Sequence, residues 1–249
     1  MFGSAIVYSG FVITTAGLIL FIKPIERLHV RSRSEALAII GVGAMLVGIA
    51  LTLPARESEV GRKQTRLDEF VPVWQFGERH TIRIDAPPAR VFEAIRSVRA
   101  NEITLFGTLT WIRRGGRKAP ESILNAGDSV PLLEVATRNG FIYLADDAPR
   151  EVVIGTIVVA PPGGRGMLTP EQFKTRLAPG FALAAMNFLV TADGPKASRV
   201  STETRVFANS ASARRRFARY WRIIYPGSAL IRVMWLRAVR RRAMTPPAR

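Results

Sequence analysis

Charged positions are missing from two predominantly apolar stretches near the start of the chain. SAIVYSGFVITTAGLILFI, Ser4 to Ile22, and ALAIIGVGAMLVGIALTL, Ala36 to Leu53, are uncharged runs long enough to cross a hydrocarbon core as helices. Between them KPIERLHVRSRSE is too polar to enter lipid. The pattern predicts a transmembrane helical hairpin over residues 1–53, because only internally bonded backbone is tolerated in lipid. Gly41, Gly43 and Gly48 give the second run small residues where two helices approach closely. Met1 to Gly3 supply no basic n-region and no small-x-small site precedes the loop, so the first run does not read as a cleaved signal. Lys23, Arg27, Arg31 and Arg33 in the loop are matched by Arg56, Arg62, Lys63 and Arg66 beyond the second run, and this even count assigns neither orientation.

From Pro54 to Pro72 the chain is charged and has no apolar period, which reads as a linker. A globular domain is expected over residues 73–249, long enough for one buried core. His80, Ile82 and Ile84 alternate with Thr81, Arg83 and Asp85 as in a strand, and APPARVFEAI then turns helical with prolines at its start. Extended segments are expected around Ile103–Arg113, Ser129–Thr137, Gly140–Asp146, Glu151–Ala160, Ala182–Thr191 and Arg199–Ala208, separated by turn signals such as RRGGRKAP and ADGPKAS. NSAS offers helix caps, and Phe217, Trp221, Ile224, Ile231, Trp235 and Ala238 then form one apolar stripe. Pro226 is expected to kink or interrupt that helix. The order predicts an α+β domain in which a curved antiparallel sheet is covered by a long C-terminal helix.

Charge adds a partner class. The chain of 249 residues has 36 Lys+Arg against 19 Asp+Glu, a formal charge of +17. No acidic residue follows Glu203, so most of the excess is C-terminal. Arg214, Arg215, Arg216 and Arg219 crowd onto about one and a half turns of the last helix. No nucleic-acid-binding module accompanies them, and a basic amphipathic helix suits anionic lipid head groups as well as simple solvation. The absence of cysteine excludes disulfides, thiolate nucleophiles and cysteine-held metals. His29 and His80 lie too far apart in sequence to begin a metal site, and no cofactor is called for. PPGGRG, Pro161 to Gly166, lacks the Gly-Lys-Ser/Thr sequence of a nucleotide loop.

Carboxylates within or beside strands are the remaining chemistry: Glu102, Glu134, Glu151 and Glu203. Glu203 and Arg205 leave the same face of their strand. If that face lines a cavity, Glu151 or Glu203 with Arg205 orients a polar ligand head. If it meets water, the three form a surface charge cluster of little energetic weight. Val200, Thr202, Thr204 and Val206 make the alternative inward face.

IRIDAPPARVFEAIRSV resembles the opening of START-type (SRPBCC) helix-grip domains. GFIYLADDAPREVVIGTIVVAP and the segment from Ser201 to Ala243 resemble a bacterial, polyketide-cyclase-like branch of that superfamily. The resemblance covers about Val73 to Ala243 and excludes the hairpin. It implies an internal apolar cavity and a hydrophobic ligand such as a lipid, isoprenoid or polyketide, but transfers no catalytic set. Phe181, Met186, Phe188, Phe207, Phe217, Trp221 and Ile224 are the expected cavity or lid residues. The leading expectation is a membrane-anchored binder of a hydrophobic small molecule. Its alternatives are a cyclase or dehydratase using a carboxylate such as Glu151, and a non-catalytic protein that docks a membrane partner.

Overall fold

The computed structural model describes residues 2–25, 28–164, 166, 168–175 and 177–245. Met1, Arg27, Arg165 and Arg249, each part of a reading above, lie outside them. The chain divides into two units, Met1–Ala55 with Ala218–Pro226, and Arg56–Phe217 with Gly227–Arg249.

In the first unit, helices α1 (Phe2–Ile22) and α2 (Arg33–Thr52) are both long and apolar enough to cross a membrane. A capping box starts α2: the Ser32 hydroxyl accepts from Glu35 N, and the Glu35 carboxylate accepts from Ser32 N. The two helices meet through glycine. A Cβ on Gly10 would stand 2.7 Å from Val47 Cγ2, one on Gly17 2.7 Å from Ile40 Cγ1, and one on Gly43 2.6 Å from Thr14 N. Gly41 and Gly48 meet nothing, so of the three small residues expected at the seam only Gly43 lies in it. Residues 218–226 complete this unit. There Arg222 is buried, donating from Nη1 to Leu51 O at 2.9 Å and from Nη2 to Leu53 O, while Tyr8 Oη donates to Ile223 O at 2.7 Å. Arg222 therefore closes the C-terminal end of α2, where carbonyls lack intrahelical partners.

The second unit is α+β. Its elements are β1 (Ser58–Glu59), α3 (Arg66–Phe70), β2 (Val73–Trp74), β3 (Phe76–Ile84), α4 (Pro88–Ser97), α5 (Phe106–Arg113), α6 (Leu132–Arg138), β4 (Phe141–Asp147), β5 (Glu151–Val159), α7 (Pro170–Lys174), β6 (Ala182–Ala192) and β7 (Ser198–Ala208). The last helix, α8, runs from Ala211 to Met244. Strands β3 to β7 form a five-stranded antiparallel sheet in the order β3-β7-β6-β5-β4. Alternate residues divide the sheet into two covered faces. Ile84, Val200, Phe188, Val190, Val152 and Ile154 pack with α4, α6 and the Ile231–Ala243 part of α8 in the larger core. Val153, Leu183 and Ala185 pack instead with Leu67, Phe70 and Val71 of the α3 segment and Phe173 of α7.

Three expectations change. Ile103–Arg113 and Ser129–Thr137 are not extended: they hold α5 and α6. In α6 the buried positions are Leu132, Leu133, Val135 and Ala136, a helical rather than an alternating spacing. Pro54–Pro72 is not a bare linker, since Leu67 is fully buried and Phe70 and Val71 are nearly so. Pro226 leaves α8 uninterrupted, although its missing N–H takes away one bond to the preceding turn.

Candidate functional site

The carboxylates singled out from the sequence converge, but on the face covered by α3. Glu151, 1% exposed, accepts from Arg66 N at 2.8 Å, Leu67 N at 3.3 Å and Asn187 Nδ2 at 2.7 Å. It thereby supplies the first amides of α3 with the acceptor they need. Asn187 Oδ1 in turn accepts from Glu203 N. Arg205 donates from Nε to Glu203 Oε1 at 2.6 Å and from Nη1 to Asp68 Oδ1 at 2.7 Å and Val71 O at 3.1 Å, and it stacks 4.1 Å over the Trp74 ring. Burial pushes the Asp68 carboxyl up, but bonds from Gln64 N, Arg205 and Thr65 outweigh it and hold the group below the usual carboxylate range. Glu151, Glu203 and Arg205 thus belong to a buried hydrogen-bonded network that fastens α3 to the sheet, and not to a surface charge cluster. Glu102 and Glu134 lie elsewhere, paired with Arg242 and Arg138.

The opposite face of the sheet carries polar atoms that are not satisfied. Register places Glu78, Thr204, Met186 and Ile154 in one row across β3, β7, β6 and β5, and His80, Thr202, Phe188 and Val152 in the next. Over these rows lie Ser228, Arg232 and Trp235 of α8. Ser228 Oγ donates to Glu78 Oε1 at 2.8 Å, Arg232 Nε stands 3.8 Å from the same oxygen, and Arg232 Nη1 contacts Met186 Sδ. The Trp235 ring meets Phe188 edge-on at 5.0 Å. Burial lowers the Arg232 guanidinium to about 10, against the opposing pull of Glu78 and with a further push down from Arg113, so it stays charged at neutral pH.

Five buried atoms of these rows and of Trp235 have no hydrogen-bond partner: Glu78 Oε2, His80 Nε2, Thr202 Oγ1, Thr204 Oγ1 and Trp235 Nε1. His80 Nε2 lies 3.7 Å from Glu78 Oε2, beyond hydrogen-bonding distance. An orphaned buried polar atom costs about 1–3 kcal/mol, and native proteins hold few of them. Five of them belong to two neighbouring rows of one sheet face and the tryptophan above them. Among the described residues no three side chains are grouped to hold a metal ion.

The expected cavity residues fall in four places. Met186 and Phe188 line this inner face. Phe181 and Phe207 line an apolar chamber of about 730 Å³ on the outer face. Phe217 packs edge-on against Phe76 at 5.0 Å, whereas Trp221 and Ile224 belong to the unit that contains the apolar helices. Arg215, Arg216 and Arg219 are exposed, and Arg214 is half-buried with Nη2 3.8 Å from Glu57. His29 sits in the loop between α1 and α2. The alternation that runs through His80, Ile82 and Ile84 continues toward the start of β3. It reaches Glu78 and Phe76, and a glutamate beside a histidine in a row otherwise made of Phe76, Ile82 and Ile84 is the available signal. Arg232 and Ser228 carry no comparable signal, being ordinary helix residues in sequence.

No protein-family model and no curated protein matches the sequence. Solved structures with a distant likeness include the Thermus thermophilus protein TTHA0849, 11% identical with a TM-score of 0.27, the match covering 68% of this chain and 97% of that one. A second is the di-domain ARO/CYC BexL from the BE-7585A biosynthetic pathway, 15% identical with a TM-score of 0.26, the match covering 86% of this chain and 57% of BexL. This chain thus matches less than two thirds of the di-domain, and at such scores neither likeness bears on ligand or activity.

Proposed function

We propose that this protein is a membrane-anchored binder of a hydrophobic small molecule that carries hydroxyl or carbonyl groups, taken up between the sheet and α8. The observation that carries the reading is the group of five unpartnered buried polar atoms on the inner face. Trp235 Nε1 only donates, Glu78 Oε2 is an acceptor oxygen, and the threonine hydroxyls do both. A complementary ligand offers an oxygen to the first and a hydroxyl to the second while its body packs on Phe188, Met186 and Ile154. The resemblance of IRIDAPPARVFEAIRSV to helix-grip domains supports the same location.

The apolar helices support the anchor. Only 22% and 17% of their apolar windows are buried, which leaves large hydrocarbon surfaces that lipid covers and water does not. Exposed Arg215, Arg216 and Arg219 suit anionic head groups.

One geometric feature favours a second reading, a cyclase- or dehydratase-type enzyme: the His80 imidazole lies 3.7 Å from the Glu78 carboxyl on the same buried face. Native mass spectrometry of the full-length protein released from micelles tests both. A retained or added mass belonging to an oxygenated apolar compound, lost in Glu78→Gln, is the expected result. Consistent absence of any adduct, with no uptake of alcohols, ketones or hydrocarbons, would sink the binding reading. Conversion of a bound compound by the native protein, abolished in Glu78→Gln with the compound still held, would select the enzyme.

A further inference from the structure

We infer that the outer-face chamber is a second binding site, specific for a long-chain carboxylate, with Lys174 as its head-group contact. The chamber of about 730 Å³ lies between α3 with the residues that follow it, α7 with the turn after it, and the ends of β6 and β7. That volume falls in the range of small-molecule sites. Phe70, Phe173, Phe181, Leu183 and Phe207 supply apolar walls. Alternation along β6 keeps it separate from the inner face, since Leu183 and Ala185 point to this side and Met186 and Phe188 to the other.

Polar groups at the chamber are few and differ in availability. Asn209 is spent on the frame: its Oδ1 accepts from Gly180 N and Phe181 N, and its Nδ2 donates to Leu177 O and Ala178 O. Lys174 is the one charged residue among the described lining residues. Its Nζ sits 4.3 Å from the Phe70 ring centre and 3.8 Å from Glu69 Oε2. The ion pair is longer than a hydrogen bond and about half exposed on the lysine side, so it holds the ammonium weakly and leaves donors for a ligand oxygen.

Lys174 and Phe70 also border a neighbouring cleft of about 310 Å³. Glu69, Asp146, Asp147 and Glu171 line it together with Arg66 and Lys174, and Asp146 is paired with Arg96. The remaining acid excess disfavours a doubly charged phosphate more than a singly charged carboxylate held on Lys174. The site therefore takes an apolar chain in the chamber and one negative charge at its border.

The experiment is photolabelling of the full-length protein in dodecyl maltoside micelles with a diazirine-bearing palmitate, the labelled peptides being mapped by mass spectrometry. Labelling of the hairpin is background from the micelle. Expected is additional labelling of peptides that contain Phe173 to Leu183 and Phe207, competed by palmitate about tenfold better than by hexadecanol, and about tenfold weaker in Lys174→Gln. Leu177→Trp, which fills the chamber from its rim, should abolish it at unchanged melting temperature. Labelling confined to β3 and to residues 228–235 would overturn this site and leave the inner-face reading standing. Equal competition by hexadecanol, or unchanged labelling of Lys174→Gln, would remove the carboxylate specificity and with it the inference.

Discussion

Thr202 and Thr204 each bury a hydroxyl that finds no partner in the folded chain, at a cost of about 1–3 kcal/mol apiece. Replacing both by valine, which keeps the branched shape, should therefore raise stability by roughly 2–6 kcal/mol while removing two contacts from the proposed ligand. Thermal unfolding and native mass spectrometry of the same preparation read the two effects, and a fall in stability would mean that the hydroxyls are satisfied after all. Asp68 shows the opposite case, a buried group with every interaction filled. Its folded pKa lies below the unfolded value of about 4. A depressed carboxylate stabilises the fold above its unfolded pKa, and that contribution disappears as pH falls through the folded one. Asp68→Asn should be less stable at pH 7 by roughly 3 kcal/mol, because Arg205 is left buried beside an uncharged partner. Its melting temperature should also drop less than that of the native protein between about pH 5 and pH 2. The pairing of Glu203 with Arg205 on one side of their strand was legible from alternation alone. Which side carries the chemistry was not, since both faces of the sheet are covered, and coverage is decided by α3 and α8 far away in sequence.

At the level of elements, legibility followed the strength of the local pattern. The strands β4 to β7 and the last helix were readable because alternation or a helical stripe ran through most of their length. Helices α5 and α6 were not: each is eight residues or fewer, and over so few positions an apolar spacing fits both periods. The α3 segment failed for another reason. Its anchors are one leucine, one aspartate and a capping box, and the burial of Leu67 comes from packing under Val153 and Phe173, which no local period announces. The apolar helices illustrate a finer limit. Glycine content marked α2 as a packing helix, but only the contact geometry separates Gly43 from Gly41 and Gly48. Gly43→Leu must displace Thr14, whereas Gly41→Leu adds a side chain in open space. In micelles the first should lower the melting temperature markedly and the second by only a few tenths of a kcal/mol equivalent at most. Equal effects would show that α1 and α2 do not pack along Gly10, Gly17 and Gly43.

On the scale of the whole molecule, the question is where the sheet domain begins and what it needs. The composition change at Val73 suggests a boundary there, yet the second unit begins at Arg56. Truncation at Val73 would delete the buried side chain of Leu67, the Asp68 partner of buried Arg205, and the Arg66 and Leu67 amides that occupy Glu151. Removing one partner of a buried charge pair costs about 3–5 kcal/mol, and emptying a leucine site about 2–5 more. Together these match the entire stability of an ordinary domain. Residues 73–249 are therefore expected to be insoluble or unfolded, whereas residues 54–249 keep the second unit intact. The longer truncation has its own defect, because Trp221, Arg222 and Tyr225 lose the α1 and α2 residues with which they form the first unit, and Arg222 loses both its carbonyl acceptors. It should fold but associate, with an apolar patch opened on α8. Circular dichroism and sedimentation separate the outcomes: a cooperative melt for 54–249 and none for 73–249 supports α3 as part of the sheet domain, and equal melts would reduce the Asp68–Arg205 network to a surface ornament. If Trp221→Ser with Tyr225→Ser then returns 54–249 to a monomer, the middle of α8 is shown to be built for the apolar helices and not for the domain that its two ends serve.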